Sequence, residues 1–172
     1  MQQIIKVDTF KRELYLYEDK KIVKNISNVV IGKNGITTDK REGDMCTPTG
    51  EYNLGISFGI HDLNITYPYL KINSNLYYID DSSSQFYNKM VDVTTVKKDW
   101  QSAEHLIDYP SQYEYALVIE YNKNCIPNHG SAIFLHVATG SYTAGCIAVP
   151  KEEMLNILKW LNPQNSTIIQ IR

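Results

Sequence analysis

Cys146 sits in the segment Thr143-Ala144-Gly145-Cys146-Ile147, and ten residues earlier His136 closes the apolar run Ala132-Ile133-Phe134-Leu135. A thiol on a small-residue turn and an imidazole at the end of a strand are the two parts a cysteine nucleophile needs. The thiolate is the reactive form, and a free thiol with a pKa near 8.5 is mostly protonated at neutral pH. A neighbouring imidazole can take that proton. Gly145 permits a sharp turn, and N–H groups near Gly145 and Cys146 can face a substrate carbonyl. A single such oxyanion donor contributes about 2.7–4 kcal/mol to catalysis. The spacing alone also fits a plainer arrangement, a buried cysteine and a core histidine that never meet.

The elements that must position this pair read mainly as strands. Ile4–Val7 and Leu14–Tyr17 are short β-branched and aromatic runs around a polar turn, Thr9 to Glu13. Further strands are expected at Ile26–Ile31, Glu51–Ile56, Leu76–Ile79, Ala116–Tyr121, Ala132–Val137 and Thr167–Ile171, the fourth and fifth being dense enough in apolar residues to be central. One helix is expected after Pro150. Glu152 and Glu153 lie in its first turn, Met154, Leu155, Leu158 and Leu161 share one face, and Asn162-Pro163 ends it. A shorter helix is expected over Ser102–Ile107. The result is a mostly β fold with one main helix packed on the sheet, read as a single domain over residues 1–172.

Composition excludes several classes. With 43% hydrophobic and 21% charged residues the chain is globular. A net charge of −2 and scattered lysines and arginines give no footprint for nucleic acid. No apolar run reaches the roughly 18 residues of a membrane span, and the first residues show no leader pattern. Three cysteines, Cys46, Cys125 and Cys146, lack the pairing and spacing of a disulfide framework or a zinc site. A Cys46–Cys125 bridge is arithmetically possible, and two free thiols are the expectation.

Two motifs carry a resemblance. Ile133-Phe134-Leu135-His136 followed by Thr143-Ala144-Gly145-Cys146-Ile147 resembles the catalytic signature of the YkuD-type L,D-transpeptidases. Far upstream, Gly43-Asp44-Met45-Cys46-Thr47-Pro48-Thr49-Gly50 resembles that family's Gly-Asp-x-x-Thr-Pro-x-Gly segment. Two motifs in the family order are more specific than either alone. Three departures stand out: Thr143 where Ser is usual, Ala144 where His is usual, and Ala148 where Arg often follows Cys-Ile. Loss of that Arg removes a fixed cation able to orient a substrate carboxylate.

The resemblance implies a β-sandwich with one main helix, and acyl transfer on peptidoglycan stem tetrapeptides. Cys146 would form a thioester with release of D-Ala, His136 would handle the proton, and Thr143, Ala144 and Gly145 would shape the oxyanion turn. A carbonyl near Val137 would orient the imidazole. An amine acceptor gives a 3→3 cross-link, and water gives an L,D-carboxypeptidase. It also implies carbapenem-type β-lactams as covalent inhibitors and a cell-envelope location, although the chain shows no leader and a cytosolic cysteine peptidase is a rival. A wall-binding module that has lost activity is the reading from another class. No cofactor and no metal is called for.

Other candidates carry less. Pro48 and Gly50 make Gly43–Gly50 readable as a plain turn before a strand. Tyr77-Tyr78-Ile79-Asp80-Asp81 suits strand packing better than a groove. The resemblance makes Tyr87 and Asn88 the better substrate-contacting candidates. His61, His105 and His129 lack metal-ligand spacing and read as loop histidines.

Overall fold

The computed structural model describes residues 1–172. Alternation of inward and outward side chains defines its first hairpin. In β1 (Gln2–Asp8) Gln3, Ile5 and Val7 point inward, and in β2 (Glu13–Glu18) Leu14 and Leu16 do so. The further elements are β3 (Lys21–Ile26), β4 (Ile36–Thr37), β5 (Thr47–Pro48), β6 (Gly50–Gly59), β7 (Tyr69–Lys71), β8 (Leu76–Ile79), β9 (Met90–Asp92), β10 (Ala103–His105), β11 (Tyr115–Ile119), β12 (Phe134–Val137), β13 (Ile147–Val149), α1 (Lys151–Trp160) and β14 (Ser166–Ile171).

Nine strands form the main sheet, in the order β13-β12-β11-β6-β14-β1-β2-β3 with β7 beside β6. The β1/β14, β12/β13 and β6/β7 ladders are parallel. The far ends of the sheet return to each other, because Val30, just beyond β3, bridges Ala148 in β13, and Gly32 bridges Thr143. The sheet therefore curls over one core. Ile5, Leu14, Leu117, Leu135 and Ile147 meet Met154, Ile157 and Leu158 of α1 there. Each such side chain, fully buried, contributes about 1.5–3 kcal/mol.

A second sheet, β10-β8-β9, covers the other side. Its Leu76 and Tyr78 pack with Phe58, Ala116, Phe134 and Cys146. The strands β11, β12 and β13 thus lie between the helix and this small sheet, and the side chains of β12 alternate between the two cores. This bears out a mostly β fold with one helix packed on the sheet.

Three expectations need correction. The third strand is Lys21–Ile26, not Ile26–Ile31. Its Ile22 and Val23 are exposed on an edge, so it lacks the apolar alternation that marks a half-buried strand. The apolar residues after it are buried, but Asn28 is left-handed (φ 61°) and breaks the run. Ser102–Ile107 is no helix: it holds β10 and a short 3-10 turn, Leu106–Asp108. On α1 the buried residues are Met154, Ile157 and Leu158, with Leu161 just beyond its end, while Leu155 is only partly buried. No helix is long and apolar enough to cross a membrane.

Candidate active site

The β12/β13 register sets His136 opposite Ala148 and Leu135 opposite Ile147. Cys146, one residue before β13, therefore falls on the same face as Phe134 and His136, facing the small sheet. Leu135 and Ile147 face the helix core. Cys146 is 8% and His136 6% exposed, and both line a cavity of about 230 Å³ with Tyr113, Thr143, Ala144 and Ala148. The fold brings the nucleophile–base candidates to one wall of one cavity, and they do not bond to each other. The Cys146 thiol donates to the Ala132 carbonyl (3.2 Å), and its sulfur accepts from the Phe134 N–H (3.3 Å).

His136 is fixed by its own strand. Its Nδ1 lies 2.9 Å from the Val137 carbonyl, so Nδ1 carries the proton and Nε2 is left as the acceptor. A carbonyl at this place is what the family resemblance implies would orient the imidazole. Burial lowers the imidazole pKa, which keeps it neutral, and the Val137 contact opposes that shift. Burial pushes the Cys146 thiol up to about 12, helped by the nearby Glu104 carboxylate. In this resting arrangement the thiol is protonated.

The turn before Cys146 is built from hydroxyls. Thr143 Oγ1 accepts from the Gly145 N–H (3.1 Å) and donates to the Cys146 carbonyl (2.6 Å). Thr47 Oγ1, fully buried, donates to the Gly145 carbonyl (2.8 Å) and accepts from the Gly32 N–H (2.9 Å). The Gly145 N–H, expected as an oxyanion donor, is thus occupied by Thr143. The N–H groups of Ala144 and Cys146 hold no intramolecular hydrogen bond. Gly145 has φ +139°, and a Cβ there would lie 2.9 Å from the Cys46 carbonyl, so only glycine fits. The segment Gly43–Gly50, explicable as a plain turn, is in fact the wall against which the cysteine turn packs.

Tyr87 and Asn88 do not line the cavity. Tyr87 is 2% exposed; its hydroxyl donates to Glu42 (2.7 Å) and accepts from the Gly130 N–H (3.0 Å). Asn88 donates to the carbonyls of Tyr121 and Asn122 (both 2.9 Å) and accepts from the Ala132 N–H (3.1 Å). Their polar atoms are committed within the chain, and Asn88 holds Ala132, whose carbonyl receives the thiol. His61 pairs with Glu114, His105 with Asp108, and His129 contacts Arg41, all away from Cys146. All three cysteines are free.

Glu104 and Tyr113 also line this cavity, and neither stands out in the sequence. The Tyr113 hydroxyl donates to Glu104 (2.5 Å), and its ring stands edge-on to His136 with centroids 5.6 Å apart. Burial raises the Glu104 carboxyl to about 7, against the Tyr113 bond and with help from Asp80 and Glu42. Glu104 lines both the His136 cavity and a second one, about 210 Å³, that reaches Cys146 past Glu42 and Asp80. No sequence signal marks this, since β10 joins the site only through its pairing with β8.

The family model of the YkuD L,D-transpeptidase catalytic domain matches residues 2–169. No curated protein matches the chain. Among solved structures, the helical cell shape determining protein Pgp2 from Campylobacter jejuni is 16% identical with a TM-score of 0.54, the match covering 99% of this chain and 47% of that one. Bd1075 from Bdellovibrio bacteriovorus is also 16% identical with a TM-score of 0.54, over 99% of this chain and 48% of its own. At this identity the likeness is one of fold, and the chain spans about half the length of these structures.

Proposed function

This chain belongs to the YkuD family of L,D-transpeptidase catalytic domains, and on that footing we propose that it is a cysteine-dependent acyl transferase acting on peptidoglycan stem tetrapeptides. The supporting observation is the shared cavity wall of Cys146 and His136, with Nδ1 tied to Val137 and Nε2 free to accept a proton. Substrate entry turns the Cys146 side chain from the Ala132 carbonyl toward His136. Nε2 takes the thiol proton, and the thiolate attacks the carbonyl joining the third stem residue to its terminal D-Ala. The N–H groups of Cys146 and Ala144 receive the oxyanion. His136 returns the proton to the leaving D-Ala amine, the C–N bond breaks, and a thioester remains on Cys146. An amine of a second stem then attacks the thioester, gives its proton to His136 and leaves a 3→3 cross-link with the thiol restored. The substrate lies in the cell envelope, which is the proposed place of action. Carbapenem-type β-lactams would acylate the same sulfur.

The test is intact mass of wild type and Cys146→Ala after incubation with a carbapenem and, separately, a disaccharide-tetrapeptide. A covalent adduct on wild type only, with D-Ala released and cross-linked dimer formed, is the expected result. Release of D-Ala with tripeptide alone would make the protein an L,D-carboxypeptidase. A folded wild type giving neither adduct nor D-Ala would overturn the enzyme reading in favour of a wall-binding module.

A further inference from the structure

Lys40 is the most buried charged side chain near the cysteine turn. The residue is 5% exposed although it lies in a polar stretch, Thr38-Asp39-Lys40-Arg41. Its stem runs in a slot between two glycines. A Cβ on Gly130 would meet its Cγ, Cδ and Cε at 3.0–3.1 Å, and a Cβ on Gly145 would lie 3.3 Å from Nζ. A Cβ at either position would crowd the lysine by a few tenths of an ångström. The ammonium is held by Asp44 Oδ1 (2.6 Å), with the Arg41 carbonyl at 3.5 Å. Asp44 is itself pinned, accepting from the N–H groups of Arg41 (2.8 Å) and Cys46 (2.9 Å). Desolvation opposes its ionisation, yet these bonds and Lys40 hold its carboxyl below the usual range.

An ion pair with its ammonium buried and its carboxylate part-exposed seldom stabilises a fold more than apolar packing would, since taking the ammonium out of water is unfavourable. Its placement one residue from the nucleophile therefore calls for another reason. We propose that Lys40 is a positioning residue for the nucleophile: its ammonium, clamped by Asp44 beneath Gly145, is the fixed positive charge that the Cys146 thiolate faces. The inference rests on Cys146 being the nucleophile. The ionisable groups around Cys146 are otherwise neutral or acidic: Tyr78 from β8, Glu104 from β10, Tyr113 from the 3-10 turn before β11, His136 from β12, and Glu42 and Asp80 across the second cavity. Lys40 lowers the thiol pKa, whereas burial and Glu104 raise it, and the Asp44 carboxylate bonded to Lys40 offsets part of the ammonium's charge. When His136 removes the thiol proton, the negative charge on sulfur then forms opposite a cation already in place, with no reorganisation needed.

The experiment is the pH dependence of Cys146 alkylation by iodoacetamide, mapped by peptide mass, for wild type, Lys40→Met and Asp44→Asn, with Tm measured alongside. Alkylation reads the thiolate whatever the enzyme's substrate, so it stands or falls separately from D-Ala release. Lys40→Met keeps the stem in its slot and removes the charge. It should lower the Cys146 rate about tenfold at a given pH, roughly one unit of apparent pKa. Asp44→Asn frees the ammonium from its counter-charge and should raise that rate several-fold. Both variants lose the same ion pair, so a purely structural role would lower both Tm values and leave the profiles together or move them in one direction. That outcome would overturn the proposal. If Lys40→Met does not fold, an unchanged or lowered rate in Asp44→Asn overturns it equally.

Discussion

The Cys146 thiol donates its hydrogen bond to the carbonyl of Ala132 at 3.2 Å, and Ala132 is a non-glycine residue in the left-handed region, with φ 53°. Such a conformation costs about 1–2 kcal/mol and persists only where the surroundings enforce it. It turns the Ala132 carbonyl to the sulfur, so the protein at rest parks its thiol away from His136. A buried, protonated thiol should react slowly with a small electrophile. At pH 7 iodoacetamide should label the half-buried Cys46 and Cys125 well before Cys146. The Cys146 rate should still be climbing at pH 10, given a thiol pushed up to about 12 by burial. Peptide mapping over time checks the order, and first labelling at Cys146 would contradict the parked arrangement.

Asn88 enforces the Ala132 conformation through its side-chain oxygen, and is itself left-handed with φ 58°. Asn88→Ala removes the acceptor of a buried N–H, releases two carbonyls, and strains its own backbone. These effects together should cost about 2–4 kcal/mol. The Tm should fall by roughly 4–16 °C at about 2–4 °C per kcal/mol, and D-Ala release should drop more than tenfold. Tyr87→Phe, which loses only the Glu42 and Gly130 links, should be milder on both counts. Equal activity in wild type and Asn88→Ala would return Asn88 to a purely peripheral role.

Thr47→Val tests the wall behind the turn. The substitution is nearly isosteric, but it deprives the Gly145 carbonyl of its donor and the Gly32 N–H of its acceptor. Unsatisfied buried groups of this kind cost about 1–3 kcal/mol. Activity should fall further than stability alone explains, because Gly145 immediately precedes Cys146. Thr49→Val, whose hydroxyl reaches only the Thr37 carbonyl at 3.3 Å, is the control and should be close to wild type.

Glu104 should make stability depend on pH in an unusual direction. Burial raises its carboxyl from 4.5 to about 7. Between those values the folded chain holds a proton that the unfolded chain has released, so folding is favoured at low pH. This contribution is fully present below pH 4.5 and is lost as pH rises through about 7. Glu104→Gln removes the effect. It should raise the Tm at pH 8 by about 2–6 °C and change it little at pH 4.5. It should also speed Cys146 alkylation, since the Glu104 carboxylate disfavours the thiolate. A Tm difference that is the same at both pH values would show that Glu104 does not titrate as described.

Local pattern along the chain is enough to read several parts of this protein. Period-two alternation marks β1 and β2, dense apolar runs mark β11 and β12, and Pro150 with Glu152 and Glu153 marks the start of α1. The pairing of a strand-end histidine with a Gly-Cys turn is equally local, and Val137 follows His136 by one peptide bond. Edge strand β3 escaped because solvent on its exposed residues leaves no alternation to read. The rest was decided by tertiary structure. Lys40 and Glu104 are ordinary polar residues in the sequence, and only distant segments folding over them bury one beneath the cysteine turn and set the other in the wall of the Cys146 cavity. Tyr87 and Asn88 look free to meet a substrate until Glu42, Gly130 and Ala132 arrive from elsewhere in the chain and take their hydrogen bonds. Whether Cys146 faces His136 or Ala132 is likewise set by a φ angle that residue 88 holds from across the fold, and no spacing along the chain encodes that contact.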